Sequence, residues 1–317
     1  MGISGAKILA LTVENSSFSK TVPGLQVAVD STSMGNYKEC AYKYFLINIC
    51  GYAPRHTRIA LEFGILYHKC LEIFDKELAK GTLRDKATLI AVRYAMENFG
   101  YRLDSKFYPH ITKDTTRTRY TLVRAIVWYV AEYEDDNLET IILKNGKPAI
   151  ELSFRMPFED YLICGHIDRM ARIKSTNTHY IIDRKTTKTT LSSGFFKRFS
   201  PDNQMSTYSV AGDVVWHERV SGMLIEACQV AVGFSRFERG FATRTKGSLD
   251  EWLNGLSSWL GKMKLDALAL HWPMNDKSCN NYGGCEFRKF CSQDPGVRMM
   301  FLAKEFTKRI WDPLKPR

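Results

Sequence analysis

Two acidic residues and a lysine at strand-compatible spacing are the first residues here that could do chemistry. Gly165-His166-Ile167-Asp168 is followed 15 residues later by Asp183-Arg184-Lys185. Tyr161–Ile173 and His179–Asp183 have the β-branched and aromatic content of strands. The polar run Lys174-Ser175-Thr176-Asn177-Thr178 between them makes a hairpin. Asp168 then ends one arm and Asp183 the other. Adjacent antiparallel strands lie about 4.8 Å apart, so two such carboxylates can share one cation. Lys185 follows Asp183 by two residues and shares its face of the strand. Beside a metal, such a lysine can orient or deprotonate an attacking water, because nearby positive charge lowers its pKa. Oxygen ligands of this kind suit hard Mg²⁺ or Mn²⁺. Either ion polarises a phosphodiester and helps produce hydroxide near neutral pH. D-x-K after a strand is also common as a surface ion pair, so its surroundings decide its meaning.

Those surroundings add three residues. Ser200-Pro201 reads as an N-cap followed by proline at the first helical position, starting a helix to about Val215. Gln204 and Tyr208 stand four residues apart on that helix, hence on one face. Upstream, Gly64-Ile65-Leu66-Tyr67-His68 sets a histidine on a helix expected over about Phe63–Ala79. A lone helical histidine is more often packed or solvated than a ligand; here its order relative to the acids gives it weight.

In that order, His68, Asp168, Asp183-x-Lys185 and Gln204-x-x-x-Tyr208 resemble the PD-(D/E)XK nuclease superfamily in its RecB-like branch, over roughly residues 37–291. That branch includes helicase–nuclease repair enzymes, CRISPR-associated nucleases and phage exonucleases. The resemblance implies a restriction-endonuclease-like α/β core with a mixed central sheet flanked by helices. It implies His68, Asp168 and Asp183 as metal ligands, joined by the Arg184 backbone carbonyl. Lys185 acts on the water, and Gln204 and Tyr208 steady Lys185 and the DNA backbone. Glu151, in the strand Ala149–Met156, matches an acidic position that could bind a second ion, though an edge-strand glutamate is usually just solvated.

Cys279, Cys285 and Cys291 are spaced C-x5-C-x5-C, with glycines between them that let a loop wrap a cluster. Cys40, in Tyr37-Lys38-Glu39-Cys40-Ala41-Tyr42-Lys43-Tyr44, is the best candidate for a fourth ligand, with Cys50 in reserve. Cluster-bearing members of the RecB-like branch look like this, with one cysteine before the nuclease core and three after it. The resemblance therefore implies a [4Fe–4S] cluster in a cysteine cap joining N- and C-terminal segments. Zn²⁺ at the same four thiolates is the competing reading, although x5 spacing is wider than usual zinc knuckles. Cys50, Cys70, Cys164 and Cys228 lie in apolar settings and read as packed thiols.

Four regions would position these residues: a peripheral segment over 1–30, a helical region over 31–146 carrying Cys40 and His68, a nuclease core over 147–270, and a cysteine segment with a terminal helix over 271–317. Helical spacing is expected over 84–100 and 113–143 as well, strand-like runs over Met223–Phe237 and near Gly240–Thr245, and a capping box at Ser248-Leu249-Asp250-Glu251 opening a helix to about Leu270.

The 317 residues carry a net charge of +11, which favours a polyanionic partner. No apolar run approaches the ~18 residues of a membrane span, and a cytoplasmic protein with reduced cysteines is expected. The segment after the D-x-K strand offers Lys188, Phe195, Phe196, Lys197 and Arg198 for phosphates and stacked bases. Arg236, Arg239, Arg244 and Lys246 form a second basic patch. The expected function is a Mg²⁺- or Mn²⁺-dependent DNA exonuclease acting on ends or single-stranded tails, with recombination, helicase or CRISPR adaptation partners. The alternatives are a catalytically silent or flap-type DNA-binding subunit and an iron–sulfur electron carrier.

Overall fold

A computed structural model of the chain describes residues 17–55, 58–99, 114–216 and 220–315. Strand β1 (Ala28–Asp30) enters helix α1 (Ser31–Glu39) through a reciprocal cap. Ser33 N donates to the Asp30 carboxylate at 2.7 Å, and Asp30 N donates to Ser33 Oγ at 3.0 Å. Helix α2 (Ala41–Tyr44), a π turn over Phe45–Ile49 and β2 (Tyr52–Pro54) follow. Three helices come next: α3 (Ile59–Ala79), α4 (Arg84–Asn98) and α5 (Arg119–Glu132). The strands β3 (Leu138–Thr140), β4 (Ile150–Phe158), β5 (Tyr161–Ile173) and β6 (Thr178–Thr187) precede α6 (Ser193–Lys197) and α7 (Asn203–Trp216). Then come β7 (Met223–Val230), β8 (Ser235–Ala242) and α8 (Lys246–Leu268). A 3₁₀ turn over Asp276–Gly283, α9 (Arg288–Cys291), α10 (Arg298–Glu305) and β9 (Phe306–Lys308) follow.

Several boundaries differ from the expected ones, each for a local reason. The helix expected over 113–143 ends at Glu132, because Leu138–Thr140 pairs antiparallel with Ala171–Ile173 of β5. Strand β6 runs on past Asp183, since Asp183–Thr187 pairs in parallel with Ile225–Gln229. Asp202, not Ser200, caps α7: its side chain accepts from Met205 N at 3.0 Å. Thr245 likewise replaces Ser248 as the cap of α8, accepting from Ser248 N at 3.1 Å. Residues 28–30 form a strand paired in parallel with Leu162–Cys164; residues 1–16 of the expected peripheral segment lie outside the described residues.

The chain forms two compact units woven from separate stretches: Met1–Arg55, Phe154–Gly165 and Thr245–Arg317 in one, His56–Ser153 and His166–Arg244 in the other. The second unit is α/β, with a mixed sheet flanked by helices. In it β5–β6 and β7–β8 are antiparallel and β6–β7 parallel. Its core joins Phe63, Tyr67, Leu71 and Phe74 of α3 with Leu122 and Ile126 of α5 and with Cys228 of β7. Ala87, Ala91 and Ala95, four residues apart and fully buried, let α4 approach that core closely. Helix α7 packs on β6, and a Cβ at Gly212 would meet Ile181 Cδ1 at 2.4 Å, so a larger residue there would require Ile181 to shift.

In the first unit, β2 and β9 pair antiparallel, and Phe45 stacks on Trp272 with centroids 4.6 Å apart. No described helix in either unit is long and apolar enough to cross a membrane.

Candidate active site

The acids meet because of strand register. Arg169 of β5 pairs with Ile182 of β6, so the next rung sets Asp168 opposite Asp183. Directly opposed residues share a face of the sheet, and Lys185 joins them two residues further along β6. His68, on α3, brings Nδ1 to 3.1 Å from Asp168 Oδ2. Arg184 N donates to the same oxygen at 3.3 Å. Lys185 Nζ lies 3.0 Å from Asp183 Oδ1 and 2.7 Å from Oδ2. It also donates to Gln204 Oε1 at 3.0 Å, and Gln204 Nε2 donates to the Tyr208 hydroxyl at 3.2 Å. The sequence-derived residues thus fall into two contact groups, His68–Asp168 and Asp183–Lys185–Gln204–Tyr208, bridged by the Arg184 backbone N–H on Asp168.

The two carboxyls titrate apart. Burial opposes ionisation of Asp168, but the His68 and Lys185 charges and the hydrogen bonds from His68 and Arg184 N outweigh it, holding the group below the usual carboxylate range. Burial and the Asp168 charge push Asp183 up despite Lys185. For Lys185, burial works against the charged form, yet Asp183 and Asp168 overcome it and the ammonium is held more firmly than usual. A charged lysine in this position can orient a water or donate to a phosphate oxygen.

Does this donor set suit a divalent ion? A buried carboxylate, Asp183, and a partly buried one, Asp168, with an imidazole beside them offer hard oxygen and nitrogen donors. Asp183 Oδ2 is buried and accepts no directional hydrogen bond, its near neighbour being the Lys185 ammonium. Among the described residues, no three His, Cys, Asp or Glu side chains already converge at metal-bonding geometry. The chemistry fits; closing the ligand set requires His68 to exchange its contact with Asp168 for the ion.

On the opposite face of β6 lies a buried charge network that sequence patterns did not single out. Arg184 Nη2 meets Asp75 Oδ2 at 2.6 Å, and its Nε meets Glu226 Oε2 at 3.2 Å. Tyr129 donates to Glu226 Oε2 at 3.0 Å, and Arg239 Nη2 lies 2.6 Å from both Glu226 Oε1 and Asp136 Oδ2. Burial alone would raise Glu226, but Arg184, Arg239 and Arg169 bring it down to about 2. Two signals were available: Asp75 follows His68 by two helical turns, and Glu226 is the one acid in the fully buried run Met223–Val230.

Other expected residues lie differently. Glu151 has a left-handed backbone (φ 53°), and the largest charges acting on Asp168 and Asp183 do not include it. Phe195 is buried, and the Arg198 guanidinium sits 3.8 Å from its ring centroid, so this face is not open to a base. Phe196 packs against Gly240, where a Cβ would come within 2.2 Å of its ring. Lys188 is ion-paired with Asp114 at 2.8 Å, whereas Lys197 is exposed. Phe196 is half-buried, and Lys197 and Arg198 are exposed.

In the first unit, Cys40, Cys279, Cys285 and Cys291 line one cavity of about 300 Å³. Asn275 N donates to Cys40 Sγ at 3.3 Å, and Cys285 N donates to Cys279 O at 2.9 Å. Burial, then the charges of Cys285, Cys40 and Cys279, push the Cys291 thiol up to about 12. Cys50, Cys70, Cys164 and Cys228 are buried, as packed thiols should be.

The chain belongs to the PD-(D/E)XK nuclease superfamily, whose family model matches residues 31–292. Nucleases of this superfamily generally use Mg²⁺ or Mn²⁺. Among solved structures, the chain is similar to the "Putative exonuclease" of Eubacterium rectale, at 12% identity and a TM-score of 0.46, over 80% of this chain and 88% of that one. No curated protein matches in sequence.

Proposed function

We propose that this chain is a divalent-metal-dependent deoxyribonuclease of the RecB-like branch, cutting DNA from ends or single-stranded tails. The observation that carries the reading is the contact chain His68–Asp168 and Asp183–Lys185–Gln204, with a buried carboxylate oxygen lacking a directional donor. His68, Asp168 and Asp183 would hold Mg²⁺ or Mn²⁺ with the Arg184 carbonyl, and Glu151 is the candidate for a second ion. The ion, when bound, supplies Lewis-acid polarisation of the phosphate and a lowered pKa for water. Lys185, kept charged and aimed by Gln204, donates to the attacking oxygen or the phosphate as negative charge develops. Tyr208 fixes the Gln204 amide, so the ammonium has one preferred position. Lys188, Lys197 and Arg198 would guide the DNA backbone, consistent with the net charge of +11.

The four cysteines would hold a [4Fe–4S] cluster that staples the segments on either side of the nuclease core, in a cytoplasmic enzyme serving recombination, repair or CRISPR adaptation. Four thiols around one cavity support this assignment. The test of function uses DNA labelled at the 5′ or 3′ end, single- and double-stranded, with Mg²⁺, Mn²⁺ or chelator. Ladder-like loss from an end, abolished by chelator, is expected. Binding without cleavage under every condition would instead favour the silent DNA-binding subunit.

A further inference from the structure

We propose that Asp75 is a positioning residue: through Arg184 it sets helix α3 at the height from which His68 meets Asp168. The inference rests on the metal-site reading above and extends it to residues that touch neither metal nor DNA.

Arg184 links the two faces of β6. Its backbone N donates to Asp168 Oδ2 at 3.3 Å, and its chain neighbours are Asp183 and Lys185. Its side chain leaves by the opposite face of β6 and is 3% exposed. There its guanidinium is gripped from two elements: Asp75 of α3 at 2.6 Å and Glu226 of β7 at 3.2 Å. Asp75 also faces Arg169 of β5 at 3.7 Å. One buried carboxylate on α3 therefore contacts arginines from both strands that carry the paired acids.

Asp75 stands seven residues after His68 on the same helix, two turns along and so on nearly the same face. Sliding or rotating α3 would move Asp75 and His68 together, so the Asp75 contacts resist displacement of the imidazole. The network is balanced, with Asp75, Glu226 and Asp136 against Arg184, Arg239 and Arg169. Buried ion pairs stabilise a fold little compared with apolar packing of the same volume, but an arrangement that leaves one partner buried and unpaired is strongly penalised. A balanced clamp behind the site thus specifies one placement of the imidazole. This is the role that outer partners play for metal-ligating histidines generally.

The experiment is Mn²⁺ binding to the full-length, DNA-free protein, followed by electron paramagnetic resonance, with nitrogen modulation reporting the imidazole contact. Wild type should show that modulation and H68A should lose it. D75N should weaken Mn²⁺ binding roughly 10- to 100-fold and lose the modulation while its circular dichroism stays native. R184K keeps the charge but not the two-pronged grip, and should behave like D75N; it carries the test should D75N not fold. A folded D75N or R184K with wild-type affinity and full nitrogen modulation would overturn the clamp. If D168A and D183A also bind Mn²⁺ like wild type, the metal-site reading itself is wrong, which the same series distinguishes.

Discussion

Replacing Lys185 with methionine keeps the aliphatic stem and removes the ammonium in contact with Asp183. The ammonium lies 2.7 Å from a carboxylate that is 2% exposed, so its loss strands a buried charge. Breaking a fully buried pair costs about 3–5 kcal/mol. The Lys185 side chain is 27% exposed, so solvent screens part of the interaction, and about 2 kcal/mol is expected at neutral pH. The loss should depend on pH in a definite direction. Burial and Asp168 already raise Asp183 above its ordinary 3.8, and removing Lys185 raises it further. A carboxyl raised in the folded state favours folding fully below its unfolded pKa, and that contribution disappears as pH rises through the folded value. K185M should therefore trail wild type most at pH 8 and recover toward it at pH 5. Urea unfolding in chelator at the two pH values measures this, and added Mn²⁺ should narrow the gap by replacing the missing positive charge. An equal deficit at both pH values, or none at pH 8, would refute the electrostatic account of the Asp183–Lys185 pair.

Three further outcomes are expected. Glu226, brought from about 4.5 to about 2 by arginines that outweigh its burial, contributes about 3 kcal/mol above pH 4.5 that is lost as pH falls toward 2. E226Q should be less stable at neutral pH and lack that part of the acid decline in denaturant titrations. G212A forces a methyl to within 2.4 Å of Ile181 Cδ1 and should cost about 1–3 kcal/mol in thermal unfolding, partly recovered by adding I181V. C291S should lose the iron and the visible absorption of anaerobically purified protein; colourless wild type containing zinc would instead assign the four thiols to that metal.

Much of the site was legible because it is local. The strand Tyr161–Ile173 and its polar turn are read directly from residue types, and with them the Asp168–Asp183 opposition. The spacing of Gln204 and Tyr208 survives even though the helix starts at Asn203 instead of Pro201. What stayed hidden depends on distant partners. The continuation of β6 through Thr187 is fixed by parallel pairing with Ile225–Gln229, and no property of Arg184–Thr187 alone announces it. Asp75, Glu226 and Arg239 each look like ordinary charged residues until three elements bring them together. In the aromatic segment the residue types alone do not announce that Phe195 is buried beneath Arg198 or that Phe196 packs against Gly240.

The central claim is that Asp168, Asp183, His68 and Lys185 form one centre for phosphodiester hydrolysis. Single-turnover cleavage of end-labelled DNA in Mn²⁺, by wild type and by D183N at matched folded fraction, tests it directly. The rate should fall at least about a hundredfold in D183N. Cleavage by D183N at the wild-type rate would contradict it.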